Sequence, residues 1–156
     1  MAPTFPPIAE LIAHRGNMLL LDRLLAADDE SCSAEYTPRN NEWYADANGN
    51  MPAWIGIELM AQTIAAYVGM QKRSSGQPPK QGVLLGTRSY KTTAASYVTG
   101  APLRIEARVS FRDESGLGAF ECTISRPGNS EEALATAMLK VYEPEDFDAF
   151  IKGKQP

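Results

Sequence analysis

Glu58 and Gln62 are the two side chains whose type and spacing most clearly allow chemistry. They lie four residues apart in the run from Met51 to Met70, which is apolar on nearly every face of a helix. Side chains at this spacing share one helix face, and a helix that is apolar all round is typical of a buried position. A buried carboxylate destabilises the fold unless it is paired or protonated. The pattern therefore predicts that Glu58 transfers protons, with a structural carboxylate near the helix start as the alternative.

Composition and length limit the classes of protein that remain. The chain has 156 residues, 44% apolar and 22% charged, which predicts one globular domain over residues 1–156. The net charge of -4 argues against nucleic acid as a partner. One histidine and two cysteines, Cys32 and Cys122, predict neither a metal site nor a disulfide framework. No signal peptide is recognisable and polar residues interrupt the apolar run, so we expect a cytoplasmic protein without a membrane span.

Hydrophobic periodicity predicts one long helix and several antiparallel strands. The helix is expected from Pro52 to Gln71, because proline suits the first turn and the following Lys72 and Arg73 suit the end. Strands are expected at residues 18–25, 31–36, 83–90 and 103–112, with two more around 120–124 and 133–141. An antiparallel sheet covered by one helix is an α+β arrangement. Since one sheet covers only part of such an apolar helix, we expect a strongly wrapped sheet and a dimer.

The strand at 103–112 shows the clearest alternation. Its odd-numbered residues, from Leu103 to Phe111, are apolar, and its even-numbered residues include Arg104, Arg108 and Arg112. The alternation predicts one buried face and one wet face. The arginines are expected on a solvated surface, with a docking surface for an acidic partner as the alternative.

Several stretches of the chain resemble bacterial 3-hydroxyacyl-acyl-carrier-protein dehydratases. Residues 14–23 read HRGNMLLLDR, similar to the family's HRxPFLLxDR, and residues 51–62 read MPAWIGIELMAQ, similar to MPGxxxxExMAQ. With LLGTRSY at 84–90, DESGLG at 113–118 and KVY at 140–142, the chain looks most similar to the aryl-polyene-pathway branch, the ApeP type. The resemblance covers most of the chain and implies the hotdog fold, in which an antiparallel sheet wraps a long central helix.

The resemblance also implies roles for individual residues. Glu58 matches the family's helix carboxylate, and Gln62 matches a polar residue that supports it. The helix start at Pro52, Ala53 and Trp54 is expected to contribute to binding. Its N–H groups would face developing negative charge, and Trp54 would line the core or an acyl tunnel.

The position of the family's catalytic histidine carries a tyrosine in this chain. In the family that histidine lies on the loop before the helix, fourteen residues ahead of the glutamate, and this position is Tyr44. A phenol is a poor general base at neutral pH. His14, the only imidazole, is therefore the other candidate for the second group, unless it only pins the first turn through hydrogen bonds. Tyr44 can equally serve as an aromatic lid where the loop enters the helix.

The implied function is loss of water from a 3-hydroxyacyl chain carried as a thioester on acyl carrier protein. Glu58 would be the acid/base, with His14 or Tyr44 as the second group, and neither a metal nor another cofactor is implied. One alternative is an acyl thioesterase on the same fold, in which Glu58 activates water. Another is a partner subunit that pairs with a fully equipped dehydratase. The expected assembly is a homodimer or a heterodimer with a related dehydratase.

Overall fold

The chain folds into a six-stranded antiparallel sheet and one long helix. The structure is a computed structural model that describes residues 4–77, 82–144 and 147–152. The strands are β1 (Arg23–Ala27), β2 (Ser31–Tyr36), β3 (Met51–Pro52), β4 (Val83–Thr92), β5 (Ser96–Tyr97), β6 (Leu103–Arg112), β7 (Leu117–Arg126) and β8 (Asn129–Tyr142). The helices are α1 (Ile55–Ser74) and α2 (Phe147–Lys152), with 3₁₀ turns at Ile8–Glu10 and Gly16–Met18. The main sheet has the order β1-β2-β6-β7-β8-β4, and β3 pairs with β5.

Helix α1 packs against the inner face of the main sheet and contacts β6 and β2 more extensively than any other strand. Leu59 and Met60 of the helix are fully buried, as are Ile105, Phe120 and Leu139 of the strands. Burial of these large side chains is the main stabilising contribution of the core. The predicted α+β arrangement with a buried helix is therefore confirmed. Among the described residues, no helix has the length and apolar character that crossing a membrane requires.

Helix α1 begins at Ile55 rather than at the predicted Pro52. Pro52 instead pairs with Ser96 in the short β3–β5 ladder, which the sequence pattern did not predict. The Ala53 N–H donates to the Ala95 carbonyl over 2.9 Å, so the chain is extended here and turns into the helix afterwards. The helix also continues past the predicted end to Ser74.

The predicted strand at 18–25 is wrong in its first half. Residues Gly16–Met18 form a 3₁₀ turn, and β1 starts only at Arg23. The Leu20 and Leu21 N–H groups donate to the side-chain oxygen of Gln62 instead of to a neighbouring strand. Residues 18–21 are therefore hydrogen-bonded to helix α1 and not to a neighbouring strand.

The N-terminal segment also touches the backbone of α1 directly, at Gly69. A Cβ atom on Gly69 would lie 2.1 Å from the Leu11 carbonyl oxygen, which is far inside van der Waals contact. The absence of a side chain at this position lets Leu11 and Ile12 reach the core, where each is 1% exposed. Gly69 thus fixes how closely the N-terminal segment docks on the helix.

The alternation of β6 breaks near its end because of a β-bulge. The register with β7 shifts between Val109 and Phe111, and Phe111 then pairs with Ala119. A bulge inserts one residue and turns the following side chains to the opposite face. Phe111 is accordingly 49% exposed on the outer face, and the Arg112 guanidinium lies 5.7 Å from the Tyr67 ring centroid on the helix side. The predicted faces of these two residues are wrong.

Candidate active site

Glu58 lies in the first turn of α1, with its side chain 33% exposed. The N-terminal end of a helix carries partial positive charge, which stabilises a carboxylate placed there. One carboxylate oxygen, Oε2, accepts a hydrogen bond from Gln62 Nε2 over 2.8 Å. The carboxylate is therefore stabilised both by the N-terminal end of α1 and by the Gln62 side chain, and it remains partly exposed.

Gln62 connects Glu58 to the N-terminal segment. The side chain is fully buried. Its Oε1 accepts from the Leu20 N–H over 3.0 Å, and its Nε2 donates to the Met18 carbonyl over 2.6 Å as well as to Glu58. Since the oxygen must face the backbone N–H, the amide has one orientation that satisfies all of these bonds. The two motifs at 14–23 and 51–62 are joined by this one side chain.

His14 is brought to Glu58 by the docked N-terminal segment. His14 Nε2 lies 3.4 Å from Glu58 Oε2, and the imidazole is 31% exposed. The other ring nitrogen, Nδ1, is buried and has no hydrogen-bond partner within the described part of the chain.

An apolar cavity of about 230 Å³ opens beside this pair. His14 and Glu58 line it, and its walls are otherwise mainly apolar side chains of α1, β4 and β8: Ala61, Ile64, Ala65, Val68, Val83, Leu84 and Val141. Apolar walls with a few converging polar groups are typical of ligand sites. The sequence pattern did not predict which apolar residues line the cavity, although the small residues Ala61 and Ala65, four apart, leave space along one helix face.

An ion pair lies beside the same cavity. Glu143, which is among the lining residues, accepts from Lys72 Nζ over 2.8 Å, and both side chains are mostly buried. Lys72 belongs to the last turn of α1, whereas Glu58 belongs to the first. The cavity therefore runs along the helix from the His14–Glu58 pair towards the Lys72–Glu143 ion pair.

Tyr44, the other candidate for a second group, lies in a separate cluster. It is 5% exposed, and its hydroxyl is hydrogen-bonded to the Tyr36 hydroxyl and accepts from the Arg39 N–H over 3.0 Å. Burial, followed by the hydrogen bond with Tyr44, holds the pKa of Tyr36 well above its usual value. Tyr44 is not among the residues that line the cavity. The structure thus brings His14 to Glu58 and does not bring Tyr44 there.

The three residues expected at the helix start also lie apart from the cavity lining. Trp54 is 63% exposed, against the expectation of a core or tunnel position. Its carbonyl accepts from the Ile57 N–H over 3.3 Å, and the Ala53 carbonyl accepts from the Gly56 N–H over 2.9 Å. These N–H groups are therefore already used within the turn, and Pro52 is held in the β3–β5 ladder.

The two cysteines are free and buried. Burial raises the pKa of both thiols, Cys32 and Cys122, to about 12. Thiols in this state are poor nucleophiles and poor metal ligands. Within the described parts of the chain, no group of three His, Cys, Asp or Glu side chains is arranged to hold a metal ion.

Solved structures with the same arrangement of one helix and a wrapped sheet define the fold class. The dehydratase heterocomplex ApeI:P from Xenorhabdus doucetiae has a chain with 25% identity and a TM-score of 0.90, covering 98% of this chain and 100% of that chain. The PaaI protein of the E. coli phenylacetic acid degradation operon matches with 12% identity and a TM-score of 0.59, covering 78% and 82%. A hypothetical thioesterase from Streptococcus pneumoniae, solved with coenzyme A, matches with 15% identity and a TM-score of 0.57, covering 78% and 84%. The chain has the hotdog fold that the motifs implied.

A family model narrows this class. The model described as ApeP-like, ApeP dehydratase, matches residues 6–152. The chain belongs to the ApeP-like dehydratase family, as the motifs at 14–23 and 51–62 indicated. The comparison with curated protein sequences finds no match.

Proposed function

We propose that this chain dehydrates 3-hydroxyacyl thioesters carried on acyl carrier protein, within polyene biosynthesis, with Glu58 and His14 as the reacting pair. The observation that carries the proposal is the 3.4 Å approach of His14 Nε2 to Glu58 Oε2 at an apolar cavity of about 230 Å³. Membership of the ApeP-like dehydratase family supports the reaction class.

The reaction needs two proton transfers in one place. One group removes the proton α to the thioester carbonyl, and another protonates the hydroxyl that leaves as water, giving a trans-2-enoyl thioester. In the proposed site, one of the two side chains, Glu58 or His14, takes the α-proton while the other gives its proton to the leaving hydroxyl, so the number of protons on the pair is the same before and after the turnover. The pair can therefore accept one proton and deliver another without an outside donor. Gln62 would act as a positioning residue, because its amide fixes Glu58 Oε2 and the segment that carries His14.

The cavity suits the acyl part of the proposed substrate. Its helix wall runs from Glu58 to Val68, a separation of ten positions that spans about 15 Å at the usual helical rise. That length accommodates an extended hydrocarbon chain, and the walls contribute apolar contacts rather than hydrogen bonds. The Lys72–Glu143 ion pair at the far end would be unfavourable for a longer apolar chain to displace.

A second hotdog chain is part of the proposal. The solved heterocomplex of the relative from Xenorhabdus doucetiae supports pairing with a related dehydratase. In this chain, β4 is the last strand of the sheet, and its residues Val83 and Leu84 also line the cavity. A chain that pairs with β4 would therefore lie directly beside the proposed acyl site.

The arginines of β6 give little support to acyl carrier protein docking on that strand. Arg108 Nη1 lies 3.5 Å from Glu30, and Arg104 Nη2 lies 3.9 Å from Glu106. Arg112 points towards Tyr67. These cations already have local partners, so the proposed docking of the acidic carrier is not assigned to them.

A second candidate function is a subunit that does not turn over substrate alone. The observation that favours it is the burial of Tyr44, at the position where the resembling dehydratases carry their loop histidine. In that case the chain would contribute structure, or half of a shared site, to a heterocomplex.

The experiment is a product assay on the purified chain, alone and mixed with a dehydratase-like partner chain. A 3-hydroxyacyl thioester of acyl carrier protein is supplied, and enoyl thioester and free thiol are both measured. Enoyl formation by the chain alone is the expected result. Enoyl formation only in the mixture would favour the subunit function, and release of free thiol would favour a thioesterase.

A further inference from the structure

The outer edge of β4 is long, and its first three residues are apolar. The strand has 10 residues and is hydrogen-bonded to β8 along one side, and it is the last strand in the sheet order. Leu84 is 40% and Leu85 is 50% exposed. An exposed strand edge with unpaired backbone groups and exposed apolar side chains is a ready template for pairing with another strand.

This edge also carries a cluster of positive charge on the outer face of the sheet. Arg88 pairs with Met138, Lys91 pairs with Thr136, and Gly86 pairs with Lys140, all positions that point away from the helix. Arg88 and Lys140 line an open groove of about 390 Å³ in which no lining residue, among those described, is acidic. Within the described residues, none of these three cations forms an ion pair. Arg88 and Lys91 of β4 and Lys140 of the neighbouring β8, together called the β4 cations below, thus have no ion-pair partner among the described residues.

Pairing of β4 with a second copy of itself would bring these charges together. A two-fold axis through the middle of the strand keeps the outer face of both copies on the same side, and directly opposite residues share a face. Arg88 would therefore face either Arg88 or Gly86 of the other copy. The two arginines would lie directly opposite, at about 5 Å between Cβ atoms, or diagonally, at about 7–8 Å. Like charges at these separations oppose association, and the neighbouring Lys140 residues add to the repulsion.

We propose that the β4 cations select a non-identical hotdog chain, whose facing strand presents carboxylates on its outer face, over a second copy of this chain. The proposal rests on the pairing with a second hotdog chain made under the proposed function, and it adds the chemistry that decides which chain is accepted. The apolar residues Leu84 and Leu85 supply contact area, whereas the cations supply the choice of partner.

In the test, a charge-reversed variant of this chain stands in for the acidic partner chain. The double variant Arg88→Glu with Lys91→Glu presents carboxylates at the same edge, and a fluorescent label lets its pairing with unlabelled wild type be followed by sedimentation. We expect the mixed pair to dissociate with a constant at least tenfold lower than that of the wild-type pair at low salt. The advantage should shrink as added salt screens the charges.

A matched double variant controls for net charge. Arg126→Glu with Lys152→Glu makes the same charge change at two exposed positions away from β4. Its mixture with wild type should dissociate like the wild-type pair, and circular dichroism should show that both double variants are folded. Equal dissociation constants for the mixed pair and the wild-type pair would overturn the proposal, as would a mixture that stays monomeric. Sedimentation does not depend on turnover, so a separate product assay on the same samples distinguishes this failure from a failure of the proposed reaction.

Discussion

Two polar clusters of this chain differ in solvent exposure and in how completely their polar groups are hydrogen-bonded. The first consists of His14, Glu58 and Gln62 beside the apolar cavity. The second consists of Tyr36, Tyr44 and the backbone of Arg39, enclosed in the core. In the first cluster Nδ1 of His14 has no partner within the described residues, and two titratable side chains remain about one third exposed. In the second, the two phenol hydroxyls are hydrogen-bonded to each other and both side chains are buried.

The difference separates groups available for chemistry from groups used for structure. Hydroxyls that satisfy each other in a core contribute a modest net stability and have no free position for a reacting atom. A carboxylate and an imidazole that meet at a cavity can exchange protons with a bound molecule. We therefore propose a reactive role for the first cluster and a stabilising role for the second, and each of the following changes tests that proposal.

The largest expected effect is on turnover, from Glu58→Gln. The amide keeps the volume and can still accept from Gln62, but it cannot give or take a proton, so the rate should fall about 100- to 10,000-fold. The rate is measured as enoyl product in the preparation where wild type turns over. Glu121→Gln, an exposed carboxylate on the outer face of β7, is the matched control and should leave the rate unchanged. An unchanged rate in Glu58→Gln would make Glu58 structural.

The second expected effect contrasts the two clusters directly. His14→Ala should lower turnover by about 100-fold or more, because one of the two proton-transfer groups is lost. Tyr44→Phe should leave turnover almost unchanged, because its hydroxyl is committed to Tyr36 and Arg39. Both variants are assayed as Glu58→Gln is. If Tyr44→Phe lost the rate and His14→Ala kept it, the second cluster would carry the reaction and the first would be structural.

A smaller effect is expected on stability, from Gln62→Leu. The change leaves the Leu20 N–H and the Met18 carbonyl without their partner, which costs about 1–3 kcal/mol in free energy of unfolding. Urea unfolding followed by circular dichroism measures it. Gln71→Leu on the same helix, where the side chain donates a long hydrogen bond of 3.4 Å to the Asp28 carbonyl, is the control and should cost less. Equal losses in both variants would remove the special role of Gln62.

Tyr44→Phe should also destabilise the fold, by about 1 kcal/mol, the net value of a typical hydrogen bond. The same urea experiment measures it. The second cluster would then contribute to stability as assigned, and a free energy of unfolding equal to that of wild type would contradict the assignment.

The smallest effect is an expected absence of reaction at the cysteines. Burial raises the pKa of Cys32 and Cys122 to about 12, so the reactive thiolate is scarce at pH 8 in the folded chain. Iodoacetamide should label the denatured chain at both positions and leave the native chain unlabelled, as followed by mass spectrometry. Rapid labelling of the native chain would show that these positions open to solvent.

Local patterns in the sequence predicted a large part of the fold. The bounds of β2 and β6 agree with the predicted strands, since period-two alternation is strong there. Glu58 and Gln62 were predicted to share a helix face, and they are hydrogen-bonded across one turn. These features depend on residues that are close in sequence, and such local relations are visible in the hydrophobic periodicity.

The remaining features depend on contacts between distant residues. The hydrogen bonds from Gln62 to Met18 and Leu20 span more than forty positions of the chain, and they replace the first half of the strand predicted at 18–25. The β3–β5 ladder delays the helix start and leaves Trp54 in solvent. The bulge near Val109 turns Phe111 outward, although its sequence spacing is regular. Nothing in the local pattern distinguishes these outcomes from the predicted ones.

Gly69 connects the packing of the N-terminal segment to the alignment of His14 with Glu58. Any side chain at this position would push against the Leu11 carbonyl, and Leu11 stands three positions before His14 in the chain. A displaced segment would carry the imidazole away from Glu58, although Gly69 itself lies three turns further along α1. The distance between His14 and Glu58, the proposed reacting pair, therefore depends on the absence of a side chain at Gly69.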